Sequence, residues 1–346
     1  MNCAMDERSA QIDVFLQRNG WGGATRSLLA ADASFRSYDR LRLGARRAVL
    51  MNAPPPQEDI RAFVIIGGML EKLNLSAPIV FAKDDALGLV LLEDFGDSTF
   101  SRLLEDAPER EFELYTLAID VLIALHQRFD RLGGNGSRLP RYDDQRLLDE
   151  AALLYDWYLP EIENLPVSTP ASSGRAAYLD LWRVVLPLAR KAPDTLVLRD
   201  YHVDNLMVLE DRTGVCACGL LDFQDAVIGP LTYDLVSLLE DARRDVPGAL
   251  ARTLRDRYLT AFPDLDRDEF AASCAVLGAQ RSAKIIGIFT RLARRDGKPG
   301  YLKHISRTWR WLEGDLSHPA LSELRNWFDR AIPPERRVTP SIGMAG

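Results

Sequence analysis

Apolar and polar positions change period several times along the chain, and each change marks a structural boundary. Residues 7–19 place Ile12, Phe15 and Leu16 on one face of a predicted helix. From about 25 to 51 the pattern shortens to three β-type runs, Arg26–Ala30, Ser37–Leu43 and Arg47–Met51. Between the first two, Ala31-Asp32-Ala33-Ser34-Phe35-Arg36 is small and polar enough for a tight hairpin turn. Pro54-Pro55-Pro56 ends this strand region, because proline has no N–H to give a sheet. A helix is predicted over Gln57–Leu73, with Ile60, Val64, Met69 and Leu73 near one stripe. Strands at Ile79–Ala82 and Gly88–Leu92 complete a β-β-β-α-β-β order, mostly antiparallel.

Glu93-Asp94-Phe95-Gly96 reads as a hinge, and helical periodicity dominates beyond it. Helices are predicted over 109–131, 143–158, 174–191, 233–242, 247–261, 267–295, 301–315 and 320–331. The stretch 194–225 breaks this pattern with short β-type runs joined by polar turns. The predicted architecture is α+β in two lobes. A small antiparallel-sheet lobe covers 1–95, with the hinge near 93–96, and a mainly helical lobe covers 96–332. The tail 333–346, with Pro333-Pro334 and then Arg336-Arg337, is expected to be disordered.

Composition narrows the function classes. The 346 residues exceed one typical domain, and 47% hydrophobic content supports a sizeable core. A net charge of −7 argues against a nucleic-acid partner, which needs a basic surface. No apolar run approaches the ~20 residues that span a bilayer, so no membrane partner is expected. The start of the chain lacks the basic and apolar stretches of a signal peptide, and a cytoplasmic, reduced protein is predicted. Cys216 and Cys218 have no second pair to complete a zinc site and read as buried free thiols.

The chemistry concentrates in two turns. Asp200 and Asn205 share a tight loop after the apolar run Leu196–Leu198, and Asp222 ends another short apolar run. That order suits phosphoryl transfer, in which one carboxylate meets an attacking hydroxyl while an amide and a second carboxylate hold Mg²⁺ on a nucleotide. Asp200 is the candidate general base or hydroxyl-orienting group. Asn205 and Asp222 supply the hard oxygens that Mg²⁺ prefers. His202 is open to two readings, loop packing or a substrate contact. Asp204 caps the turn in the simplest reading. Asp225 either touches substrate or caps the following loop.

These residues carry a family resemblance. Alongside Asp200–Asn205 and Asp222–Ala226 it rests on several further stretches. They are Ala31–Arg36, Asn52-Ala53-Pro54-Pro55, Asp156-Trp157-Tyr158-Leu159, Gly229–Leu235, Leu277–Arg281 and Arg294–Tyr301. Together they run through most of the chain, which resembles the aminoglycoside phosphotransferase family and, within it, the anomeric sugar kinases of bacterial cell-wall recycling. The resemblance implies a two-lobe protein-kinase-like fold, with ATP and Mg²⁺ as cofactors. It implies a small-molecule amino sugar as substrate, phosphorylated at the anomeric hydroxyl of N-acetylmuramate and/or N-acetylglucosamine in peptidoglycan recycling. Asp200 becomes the catalytic Asp, Asn205 and Asp222 the metal ligands, and Asp234 the brace of the catalytic loop. Glu93, Asp94 and Phe95 would meet adenine, while Ala33, Ser34, Phe35 and Arg36 would cover the phosphates.

Two positions depart from the family pattern. Leu198 stands where a His is common, and Met51 stands where kinases place a strand lysine. No lysine precedes Lys72, so Arg36, Arg42 and Arg46 are the candidate phosphate cations, with Arg36 preferred after the hairpin turn. For the sugar, Glu150, Trp157 and Tyr158 combine a carboxylate with aromatic surface. Arg281 shares a helix face with Lys284 and would suit an anionic group. The rival readings are a kinase of another acceptor, of aminoglycoside or choline type, and a non-catalytic pseudokinase binding module.

Overall fold

A computed structural model describes residues 2–31, 36–131, 139–163 and 172–342. Five strands form one antiparallel sheet: β1 (Thr25–Ala31), β2 (Ser37–Leu43), β3 (Arg46–Asn52), β4 (Val80–Asp84) and β5 (Leu89–Leu92). Their spatial order is β1-β2-β3-β5-β4. The period of two sorts their side chains cleanly. Leu41, Ala48, Leu50, Leu89 and Leu91 point to one face, where Ile12, Phe15 and Leu16 of helix Asn2–Arg18 cover them. The opposite face carries Tyr38, Arg40, Val49 and Leu92, with Arg40 opposite Val49 and Val49 opposite Leu92 in the ladder.

Four later strands make two short antiparallel ladders. β6 (Asp194–Val197) pairs with β9 (Val227–Pro230), and β7 (Leu206–Val208) pairs with β8 (Cys218–Leu220). The helix predicted from Gln57 begins at Arg61, after the proline-rich turn. The predicted helix 143–158 is helical only over Asp144–Leu153, then widens to one π-turn at Leu154–Tyr158.

The chain forms two compact units, Met1–Val121 with Val203–Asp225, and Leu122–His202 with Ala226–Gly346. The first contains the five-stranded sheet and the β7–β8 ladder. The second is mainly helical around the long helix Arg267–Asp296, and its core includes Trp182, Tyr178, Trp309 and Phe328.

The end of the second unit corrects the expectation of a disordered tail. Tyr158 donates from its hydroxyl to the carbonyls of Arg336 (3.0 Å) and Val338 (2.7 Å). Arg337 is buried between Glu313 and Asp329 and lies over the Trp309 ring. Prolines break helices without preventing order, and here the hydroxyl of Tyr158 meets two carbonyls of the tail, which is described through residue 342.

Candidate active site

In the first unit a cavity of about 530 Å³ opens on the face of the sheet that carries Tyr38, Val49 and Leu92. Phe63, Met207 and Leu221 add apolar walls, Glu93–Asp97 forms one side, and Asn205 and Asp222 contribute oxygen. The β7–β8 register explains that last pair. Leu206 lies opposite Leu220, so the residues flanking the ladder emerge together, and the Leu221 amide donates to the Asn205 carbonyl at 3.0 Å. The Asn205 side-chain amide sits 3.4 Å from one Asp222 oxygen, and Gln224 donates to the other at 2.6 Å. Asp222 adopts φ = +56°, a left-handed conformation that Asp tolerates better than most residues. Phe223 anchors the turn by stacking on Phe63 at 4.9 Å between centroids.

An amide oxygen and a carboxylate are a donor set suited to Mg²⁺, which keeps water and phosphate oxygens for its remaining positions. Among the described residues there is no cluster of three or more His, Cys, Asp or Glu that would hold a metal without such help.

The segment lining one side of this cavity is pinned by a residue that the sequence reading passed over. Arg40 reaches both oxygens of Asp94 (2.8 and 3.0 Å), both of Asp97 (2.9 Å) and the Gly96 carbonyl (2.8 Å). Its only signal in the sequence is an arginine on the face of β2 that alternation aims away from helix Asn2–Arg18. Glu93 is in turn paired with Arg212, whose guanidinium lies over Phe95.

The second unit holds Asp200, half-exposed just after β6. Its amide donates to the Leu198 carbonyl at 2.9 Å, and the residue between them, Arg199, has φ = +72°. That is a three-residue turn of the rarer, strained hand. Asp234, buried in helix Thr232–Leu239, braces it by accepting the amides of Leu198 (2.6 Å) and Arg199 (2.9 Å). Burial pushes the Asp234 carboxyl up to about 7, against the pull of those two amides; nearby Asp200 adds to the rise. Ser237 donates to the Arg199 carbonyl at 3.3 Å.

Several expected substrate contacts turn out to be internal. Glu150 lies 2.6 Å from Arg199 and 3.2 Å from Lys284, and it accepts from Tyr142, so both its oxygens are committed. Burial raises its carboxyl, but Lys284 and Arg199 outweigh this and hold it below the usual range. Tyr158 is fully buried and spends its hydroxyl on the tail. Arg281 is buried and donates to the Glu240 carbonyl at 3.2 Å. His202 is buried 3.4 Å from Arg243; burial, with Arg243 and Arg281, drives its ring well below the usual histidine range. In each case a polar residue on a helix or loop pattern faces inward because a partner from a distant segment meets it.

Trp157 remains half-exposed in the π-turn, and Asp225 is exposed. Arg36 pairs with Glu58 at 3.3 Å. Arg42 is exposed, and Arg46 lies over Trp21 and reaches the Gly20 carbonyl. Ala33, Ser34 and Phe35 lie outside the described residues.

The model of the phosphotransferase enzyme family matches residues 25–271. An N-acetylmuramate/N-acetylglucosamine kinase of Caulobacter vibrioides is 37% identical, over 96% of this chain and 98% of that protein. One of the same name from Pseudomonas aeruginosa is 36% identical, over 94% of each chain. Among solved structures, a choline/ethanolamine kinase family protein from Mesorhizobium loti is similar in fold, with a TM-score of 0.59 at 14% identity, covering 92% of this chain and 98% of the other. The fold is thus of the protein-kinase-like kind expected, and the chain belongs to the phosphotransferase enzyme family.

Proposed function

We propose that this enzyme transfers the γ-phosphoryl group of ATP to the anomeric hydroxyl of N-acetylmuramate and/or N-acetylglucosamine, in the cytoplasm, as a step of peptidoglycan recycling. The observation that carries the reading is the cavity of the first unit. Its apolar walls at Val49, Leu92 and Met207 suit a purine face, and its lining includes the two oxygen donors Asn205 and Asp222. The acceptor class rests on the names of the two relatives.

In this reading the backbone of Glu93–Phe95 meets the adenine edge, and Ala33–Arg36 cover the phosphates. Asn205 and Asp222 would hold Mg²⁺, which when bound would neutralise phosphate charge. Asp200 orients the sugar's 1-hydroxyl and takes its proton as O1 bonds to the γ-phosphorus and the bond from that phosphorus to the β,γ-bridging oxygen breaks, releasing ADP. An anomeric hydroxyl is more acidic than an ordinary alcohol, so a carboxylate is base enough. Asp234 keeps the turn that presents Asp200.

The test is turnover of purified protein with ATP, Mg²⁺ and each amino sugar, with ³¹P and ¹³C NMR to locate the phosphate. The expected product carries it on C1. Phosphate on any other oxygen, or turnover only with aminoglycosides or choline, would overturn the acceptor assignment. ATP binding without turnover on any acceptor would favour a binding module. Asp200→Ala should lower kcat by about 10²–10⁴-fold, the usual worth of a positioned base, while calorimetry still detects ATP binding.

A further inference from the structure

Arg199 poses a problem that its own backbone sharpens. A left-handed φ is strained for an L-residue, whereas glycine adopts it freely. An arginine at φ = +72° therefore carries a conformational cost that its side chain must offset. The side chain is only 12% exposed, 2.6 Å from Glu150 and over the ring of Tyr142 at 5.3 Å. Glu150 is itself fastened by Lys284 at 3.2 Å, by the hydroxyl of Tyr142 and, at 3.4 Å, by the Gln280 amide. Tyr142 and Tyr233 are 3.1 Å apart at their hydroxyls, and Lys284 reaches Tyr233 at 3.5 Å. Helices Asp144–Leu153, Thr232–Leu239 and Arg267–Asp296 thus all converge on the residue preceding Asp200.

We infer that Glu150 is a positioning residue: with Lys284 behind it, it holds the Arg199 side chain and so fixes the strained turn that presents Asp200. Asp234 grips the same turn by its backbone, and Glu150 grips it by its side chain. The two holds are independent, because Asp234 meets the amides of Leu198 and Arg199 while Glu150 meets the guanidinium. This inference deepens the proposed function, since it assigns a role around the same catalytic carboxylate.

Two variants separate positioning from mere structural support. Arg199→Gly removes the backbone cost together with the ion pair. A residue kept only for packing would be replaced with little effect on turnover per folded molecule. Positioning predicts instead a fall in kcat of about 10–100-fold, with KM for ATP within about two-fold. Glu150→Gln keeps the shape and removes the charge, and is expected to lower kcat about ten-fold. Because both act through one contact, the double variant should be no slower than Arg199→Gly alone; additive losses would overturn the inference.

Hydrogen exchange of the Arg199 and Asp200 amides gives a readout that needs no acceptor. Exchange about ten-fold faster at these two amides in Glu150→Gln than in the parent is expected, in excess of the change at core amides of helix Arg267–Asp296, alongside the lower melting temperature that follows when Arg199 and Lys284 lose a buried partner. Unchanged exchange at these two amides would overturn the inference whether or not an amino sugar is the acceptor. Absence of turnover in the parent, with the exchange difference present, would count against the proposed reaction alone.

Discussion

The cavity of the first unit and the Leu198–Asp200 turn of the second are built by opposite means. The cavity is walled by aliphatic and aromatic side chains from strands whose alternation already sorts them, and its two oxygen donors stay half-exposed. The turn is a strained three-residue loop clamped by charges that are nearly all withdrawn from water. Apolar walls degrade gradually, because each side chain contributes contact area. A desolvated charge cluster fails abruptly, because removing one member leaves another buried and unpaired.

The sharpest break of that contrast is Asp234→Ala. It orphans the buried amides of Leu198 and Arg199 at once, and the expected cost is about 3 kcal/mol of stability. Urea unfolding would measure this, and kcat should fall with it, since Asp200 follows directly. An intact turnover rate would show that the turn holds itself.

Arg40→Met tests a buried ion-pair cluster on the cavity side. Asp94 has a side-chain exposure of only 3%, so losing its partner should cost about 2 kcal/mol. The cost stays below that of a fully enclosed pair because Asp97 is exposed. KM for ATP is expected to rise several-fold with little change in kcat, whereas turn variants should do the reverse. Equal effects on both constants would erase the distinction between the two regions.

The mildest change is Asp234→Asn, read as a slope. Folded Asp234 keeps its proton to about 7, while its ordinary value is 3.8. Between those values the folded state binds more protons than the unfolded chain, so this group makes stability fall as pH rises from about 4 to about 7. Asparagine does not titrate, and unfolding midpoints of the variant should vary less across that window. An unchanged slope would mean that the two amides keep Asp234 ionised throughout.

What could be read in the chain follows from the range of the interactions involved. The strand order, the proline stop and the two acidic turns depend on neighbours within a few positions, and each left a local pattern. The same logic could not show that Glu150, Tyr158 and Arg281 each meet a partner inside the protein. A carboxylate or an aromatic ring on a helix has the same local signature whether it faces a ligand or a partner. Tyr158 shows this most plainly, since its hydroxyl is taken by carbonyls of the tail that was expected to be disordered. Arg40 was invisible for the complementary reason: one arginine in a strand looks solvated until two aspartates from a distant segment arrive beside it.

The sequence alone determined the alternation that builds the sheet, the loop that carries Asp200 and Asn205, and the strand end that carries Asp222. Tertiary structure decided which charges are neutralised, and by whom. Local periodicity is set by neighbours a few residues away, whereas a buried charge survives only where folding delivers a partner from far along the chain, as Glu150 is delivered to Arg199.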